Sequence, residues 1–269
     1  MDDRPAPQAL DDASRACRAR ATALAALAAA LERGDEARVE AALARVRSAP
    51  VAGAEAEVAA VEAWLAASRA SRRERFADEL RAACEAAGIE ILVLGRDPLE
   101  LRLPPVSVSV DLAAGRAEVR FAGWTVRRAA AEAAAILAAR DEAVTWLEGD
   151  PWDPVAYLAL LREAWLRASR GTETWVELTD VLPEVALLRQ GRRFRRDPVT
   201  RNYEPYPAVR FAWDLWRLKR DRVLRAHGWR LSLGPATGGS TRDRGRVLLL
   251  EDARGQGQYH LTLRFVREE

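Results

Sequence analysis

Along the first 87 residues, apolar or small side chains return every three or four positions. Leu10, Ala13, Cys17, Leu24, Leu27 and Leu31 form one such stripe, interrupted only by Arg20, and Gly34 follows as a stop. This spacing predicts a helix over 11–33. A second helical pattern covers 37–46 and ends before Ser48-Ala49-Pro50. A third covers 55–87, with Val58, Val61, Leu65, Phe76, Leu80 and Cys84 on its stripe and Gly88 closing it. The three patterns predict an antiparallel helical hairpin or three-helix unit, packed closely because alanine side chains let backbones approach. Its charged outer faces fit either a spacer that supplies stability or a surface on which a protein partner docks.

From Ile89 to Phe121 the period drops to two. Ile89/Ile91/Val93, Leu99/Leu101/Leu103, Val106/Val108/Val110 and Ala117/Val119/Phe121 each alternate with polar neighbours, which predicts four short antiparallel strands. Residues 95–98, Pro104-Pro105 and 113–116 supply the turns. Glu90, Glu100, Arg102, Ser107, Ser109, Glu118 and Arg120 are expected on the solvent face. A helix over 126–147 and the long third helix would cover the apolar face, completing a small α+β domain over 88–149.

Residues 148–154 hold two prolines and a glycine and mark a domain boundary, with Asp153 as an N-cap and Pro154 at the first helical position. Beyond it the pattern predicts a helix over 155–169, an extended segment near 175–179, a helix over 181–190, a basic loop, and a helix over 207–226 stopped by Gly228. Period-two stretches then follow at Trp229/Leu231/Leu233, 247–250 and Tyr259/Leu261/Leu263/Phe265. Three helices followed by a β-hairpin give 150–269 the order of a winged helix-turn-helix; the likeness is one of topology and rests on no sequence motif.

Charge sharpens this picture. Lys219 is the only lysine among 42 basic residues, and 40 acidic residues leave a net charge of +2. With alanine at 54 positions, the bias resembles the product of a GC-rich coding sequence. The sum nevertheless hides a partition: residues 189–230 hold 13 basic residues against four acidic ones, a net of +9, so the remainder carries −7. Within that segment Arg210, Asp214, Arg217, Asp221 and Arg225 recur at helical steps and can pair with one another. That stripe is expected to face solvent or a partner's charged surface. Arg192, Arg193, Arg195 and Arg196 remain uncompensated, as do Lys219, Arg220 and Arg222 near the helix end. Arg242, Arg244 and Arg246 in the wing would join them if the hairpin folds back. Phe194, Tyr203, Tyr206, Phe211, Trp213 and Trp216 lie among these charges. Arginines beside aromatic rings suit phosphate neutralisation and base stacking, although Trp213 and Trp216 also fit the core of the last helix with Val209, Ala212 and Val223.

Several chemistries are disfavoured. Only His227 and His260 could act as imidazole bases or ligands; His227 falls in the helix stop and His260 alternates outward on its strand. Cys17 and Cys84 are the only cysteines. No zinc-type spacing occurs, so neither metal nor cofactor is expected. Residues 234–241 have the glycine spacing of a Walker loop with Ser240 in place of the lysine, and a strand follows where a helix is needed; a flexible hairpin loop is expected there. Asp111, Glu118 and Arg120 evoke the acidic strand of a metal-dependent nuclease, without its lysine. No run reaches the length of a membrane span and the N-terminus lacks a secretory pattern, so a cytoplasmic chain is expected.

The leading expectation is a non-enzymatic, bacterial-type accessory subunit. It would engage DNA, RNA or a nucleic-acid-handling complex through the C-terminal arginines, with residues 1–87 mediating assembly with a protein partner. The alternatives are a pure protein–protein adaptor and a divalent-metal nuclease at Asp111 and Glu118.

Overall fold

A computed structural model describes residues 7–48, 55–149, 151–241, 245–252 and 256–268. The chain mixes helices with antiparallel strands and divides into two compact units, Met1–Asp78 and Glu79–Glu269. The second unit holds both segments expected at 88–149 and 150–269.

The first unit is helical. α1 (Pro7–Glu32) turns through Gly34, whose φ of +64° is left-handed, into α2 (Glu36–Ser48). Asp35 starts α2 by accepting a 3.1 Å hydrogen bond from the Arg38 amide. α3 (Glu55–Ala86) begins here and runs past the unit boundary. Leu27, Ala30, Val39, Ala42, Leu43, Val46 and Leu65 form the core, with Val58 and Val61 packed against it. The stripe expected for α1 and α3 supplies much of this core, and small alanines at the contacts keep the helices close.

The second unit contains two sheets. The first is a meander of β1 (Leu92–Arg96), β2 (Leu99–Leu103), β3 (Val106–Asp111), β4 (Arg116–Phe121) and β5 (Trp124–Ala130), paired in that order. Five strands replace the expected four, because 124–130 pair with β4 instead of starting a helix. The cause lies in the turn and the pairing. Ala122 and Gly123 both have positive φ, +52° and +86°, the backbone of a two-residue type I′ hairpin turn. Across the strands, Thr125 and Arg128 then bond to the Glu118 carboxylate. α4 follows only at Ala133–Glu148. Leu101, Leu103, Val106, Val108, Val110, Ala117, Val119 and Phe121 are all buried as the alternation predicts, whereas Val93 on the edge strand is 61% exposed.

α5 (Pro154–Ala168) starts as its sequence predicts, the Asp153 carboxylate accepting from the Val155 and Ala156 amides. β6 (Val176–Glu177), α6 (Leu178–Leu188), α7 (Arg192–Arg196), a 3-10 turn at Thr200–Asn202 and α8 (Ala208–Arg220) follow. The second sheet comprises β6, β7 (Arg225–Ala226), β8 (Trp229–Pro235), β9 (Leu248–Glu251) and β10 (Gly257–Arg267). Its order is β6-β10-β8-β7, with β9 also on β10.

α8 ends at Arg220, six residues before the expected stop. The Val223 amide reaches back to the Leu218 carbonyl and the Arg222 amide to that of Lys219, with Arg222 left-handed at +58°. This is a Schellman closure with arginine where glycine usually sits, so composition gave no sign of it. His227-Gly228 then forms a second turn with two positive φ values, between β7 and β8, instead of a helix stop.

Val209, Phe211, Ala212, Trp213, Leu215 and Leu218 of α8 are buried. Trp213 stacks on Trp216 at 4.8 Å, and Phe121 of the first sheet meets both rings edge-on. Asp214 and Arg217 are buried as well, at 3% and 6% exposure, so the charged stripe expected to face solvent points partly inward.

Candidate functional site

Among the described residues, a concentration of arginines without carboxylate partners lies between α6 and α8. The expected basic loop contains the short helix α7, on which Arg192, Arg193, Arg195 and Arg196 are all exposed. The segment 191–203 carries five arginines against one acid, Asp197, and that acid is occupied locally. Arg201 approaches its carboxylate at 3.3 Å, and Asn202 donates to its carbonyl at 2.8 Å. Among the described residues no carboxylate pairs with Arg192, Arg193 or Arg196. Arg195 is anchored by donating to the Leu188 carbonyl at 3.0 Å.

The base of this segment is pinched shut. Gln190, 2% exposed, uses both ends of its side-chain amide: its Nε2 donates to the Glu204 carbonyl at 3.0 Å, and its Oε1 accepts from the Glu204 amide at 2.9 Å. The geometry copies one rung of a β ladder. Phe194 and Tyr203 pack edge-on with centroids 5.7 Å apart, and Tyr203 keeps 36% of its surface in solvent. The arginines therefore project from a braced excursion with an aromatic at its foot. Gln190 and Glu204, 14 positions apart, carry no sequence signal of this brace.

The other arginines of the expected patch are distributed differently. Lys219, Arg220 and Arg222 are exposed at the opposite end of α8, about 20 Å of helix away from its start. Arg220 bonds to Asp221 at 2.7 Å and lies over Trp216. Its hydrogen bond, followed by that from Trp152, holds the Asp221 carboxyl below the usual carboxylate range. Arg246 is paired with Glu177. Arg242 and Arg244 lie outside the described residues.

Inside α8 a chain of polar groups is closed against solvent. Tyr206 donates to Asp214 at 2.5 Å, and the Tyr157 hydroxyl meets that of Tyr206 at 2.9 Å. Asp214 also pairs with Arg217, whose guanidinium lies 3.8 Å over the Trp152 ring. Burial, and for Tyr157 the Asp214 charge, raise both tyrosine pKa values well above normal. The groups satisfy one another and tie α8 to α5, which makes the network a structural joint.

Two further expectations change. Arg102 and Ser107 are buried, at 0% and 9% exposure, because Glu251 at the end of β9 covers them. Arg102 forms an ion pair with Glu251 and donates to Ser107 at 3.0 Å. His260 is 5% exposed and faces inward, its pKa lowered to about 4 by burial and then by the nearby Lys219 charge. The Gly234 backbone opposes this slightly, yet neither ring nitrogen has a partner at hydrogen-bonding geometry among the described residues. The inward turn coincides with the register shift between His260 and Thr262, which breaks the simple alternation.

On the first sheet, Asp111 caps its own turn through the Ala114 amide and lies 3.6 Å from Arg116. The Thr125 hydroxyl, then Arg128 and Arg120, lower the Glu118 pKa. Among the described residues no three His, Cys, Asp or Glu side chains converge as metal ligands, and no helix is long and apolar enough to cross a membrane. Comparison with family models, curated proteins and solved structures finds no match.

Proposed function

We propose that the chain binds the phosphate backbone of nucleic acid through the excursion 191–203 and serves as an accessory subunit to nucleic-acid-handling machinery. The observation that carries this reading is the set of exposed guanidiniums of Arg192, Arg193 and Arg196, which meet no carboxylate among the described residues. Guanidinium forks suit phosphate oxygens and require no base-edge readout. The bracing by Gln190 supports the same reading, because a pre-formed cluster loses less entropy on binding than a mobile tail.

The order α5, α6, α8 followed by the β8–β10 pair favours a winged-helix-like description of 150–269, in which the expected wing lies between β8 and β9. The burial of α8 means that this version would not insert its third helix into a groove; contact falls to the excursion. The helical unit, with Trp64 39% exposed on α3, is the part we assign to assembly with a protein partner.

Binding of a fluorescent oligonucleotide measured across a salt series tests the reading. The triple variant Arg192→Ala, Arg193→Ala, Arg196→Ala is expected to lose most affinity and to reduce the slope of log K against log salt by about two to three. Arg195 is left in place because it anchors α7. Wild-type affinity and slope in the variant would overturn the assignment, and absence of oligonucleotide binding by the wild type would favour an acidic protein partner.

A further inference from the structure

Resting on the phosphate-binding reading above, we infer that the excursion prefers single-stranded over double-stranded nucleic acid, with Tyr203 as a stacking platform for an unpaired base. Three observations converge on this. Tyr203 as a residue is 36% exposed although it belongs to a well-braced segment. Its amide donates to the Thr200 carbonyl at 3.1 Å, its ring packs edge-on against Phe194, and the next residue, Glu204, is clamped by Gln190. A solvent-accessible aromatic residue held in place by its neighbours is pre-organised for a flat ligand.

The charges stand beside that ring. Phe194, its packing partner, is flanked on α7 by Arg193 and Arg195, with Arg192 and Arg196 one position further out. Asp197, the acid closest in sequence to Phe194, is engaged by Arg201 and Asn202, so the exposed Glu204 beside Tyr203 is the one carboxylate that the five arginines of 192–201 must outweigh. An anionic strand is thus favoured where a neutral apolar surface would not be. Val199, which precedes the same 3-10 turn, is 37% exposed.

Among the described residues, neither α7 nor α8 supplies a matching element for duplex recognition. A groove reader needs an exposed helix or ribbon of sufficient length, whereas α7 has five residues and spans only about 7.5 Å. α8, long enough, has most of Val209–Leu218 buried, with Arg210 and Trp216 partly so. In a duplex the bases are stacked on each other and out of reach of Tyr203; in a single strand they are free to stack on an aromatic face.

The test compares a labelled mixed-sequence DNA strand of about 12 nucleotides with its blunt duplex at one low salt concentration, using the full chain. The single strand is expected to bind about ten-fold more tightly. Tyr203→Ala should lower single-strand affinity about ten-fold while leaving duplex affinity unchanged, and Tyr203→Phe should retain wild-type binding. Circular dichroism of each variant checks that the fold persists. Equal affinity for the two probes, together with a silent Tyr203→Ala, overturns the single-strand inference and leaves phosphate binding standing. Failure of the wild type to bind either probe overturns the phosphate-binding reading itself.

Discussion

The two compact units differ in that the second buries some of its arginines, whereas the described ion-paired arginines of the first stay at the surface. In the helical unit the described ion pairs of Arg38, Arg47, Arg69 and Arg72 leave between 39% and 64% of each arginine side chain in solvent, and the main core cluster consists of leucine, valine and alanine. In the second unit Arg102 is fully buried against Glu251, and Arg217 is nearly so against Asp214. A buried pair requires hydrogen bonds and partner charges around it, because each charge has left water. The helical unit therefore depends on apolar packing. The second unit depends in addition on charge pairs that specify how its elements meet: Arg102 joins β2 to β9, and Arg217 holds α8 beside Trp152.

The largest effect that separates the units should come from Arg102→Ala. It leaves the largely enclosed Glu251 carboxylate without its ion-pair partner, with only Ser107 beside it, and is expected to cost about 3–5 kcal/mol in urea unfolding. Eight of the nine tryptophans lie beyond residue 78, so tryptophan fluorescence follows this unit almost alone. The double variant Arg102→Leu, Glu251→Leu should recover much of the loss. A cost below about 1 kcal/mol for the alanine variant would place Arg102 with the surface arginines of the first unit.

Acid comes next. Because the folded protein holds the His260 pKa near 4 against an ordinary 6.5, the unfolded chain takes up a proton first as pH falls. Stability of the second unit should therefore decline between pH 6.5 and 4 by up to about 3 kcal/mol. His260→Leu should flatten that part of the pH profile; an unchanged profile would show that another group is responsible. Tyr206→Phe, which removes the donor to Asp214, should cost about 2 kcal/mol by the same fluorescence measurement, and a neutral result would mean that Asp214 is satisfied by its arginines alone. The smallest effect belongs to the first unit: Arg47→Ala breaks an exposed pair with Glu62 and should cost less than about 1 kcal/mol, read by far-ultraviolet circular dichroism.

This contrast also explains which features were legible in the sequence. Helical spacing located α1 to α3, the Asp153-Pro154 pair announced α5, and period-two alternation identified the buried faces of β2 to β4. These are local signals, written within one turn or one strand. The misplaced features depend on partners distant in the chain. Alanines at 129–131 suit a helix until the free edge of β4 and the Glu118 carboxylate are present. Arg102 alternates as a surface residue until Glu251, 149 positions later, arrives over it. The end of α8 was hidden for another reason, since an arginine occupies the left-handed position. Of the candidate interface, the arginines themselves could be read directly. Their bracing could not, nor could the placing of Lys219 and Arg222 at and beyond the C-terminal end of α8.

The Gln190 clamp has a consequence for how this protein can change. It joins the two ends of the excursion, so α6 and α8 are held together by an amide pair that is independent of what lies between them. Closing a loop whose ends already meet depends only weakly on its length. The 13 residues from 191 to 203 can thus be shortened, lengthened or exchanged while the scaffold keeps its register. The excursion acts as a replaceable cartridge, in which ligand preference is free to evolve without asking the buried charges of α8 to rearrange.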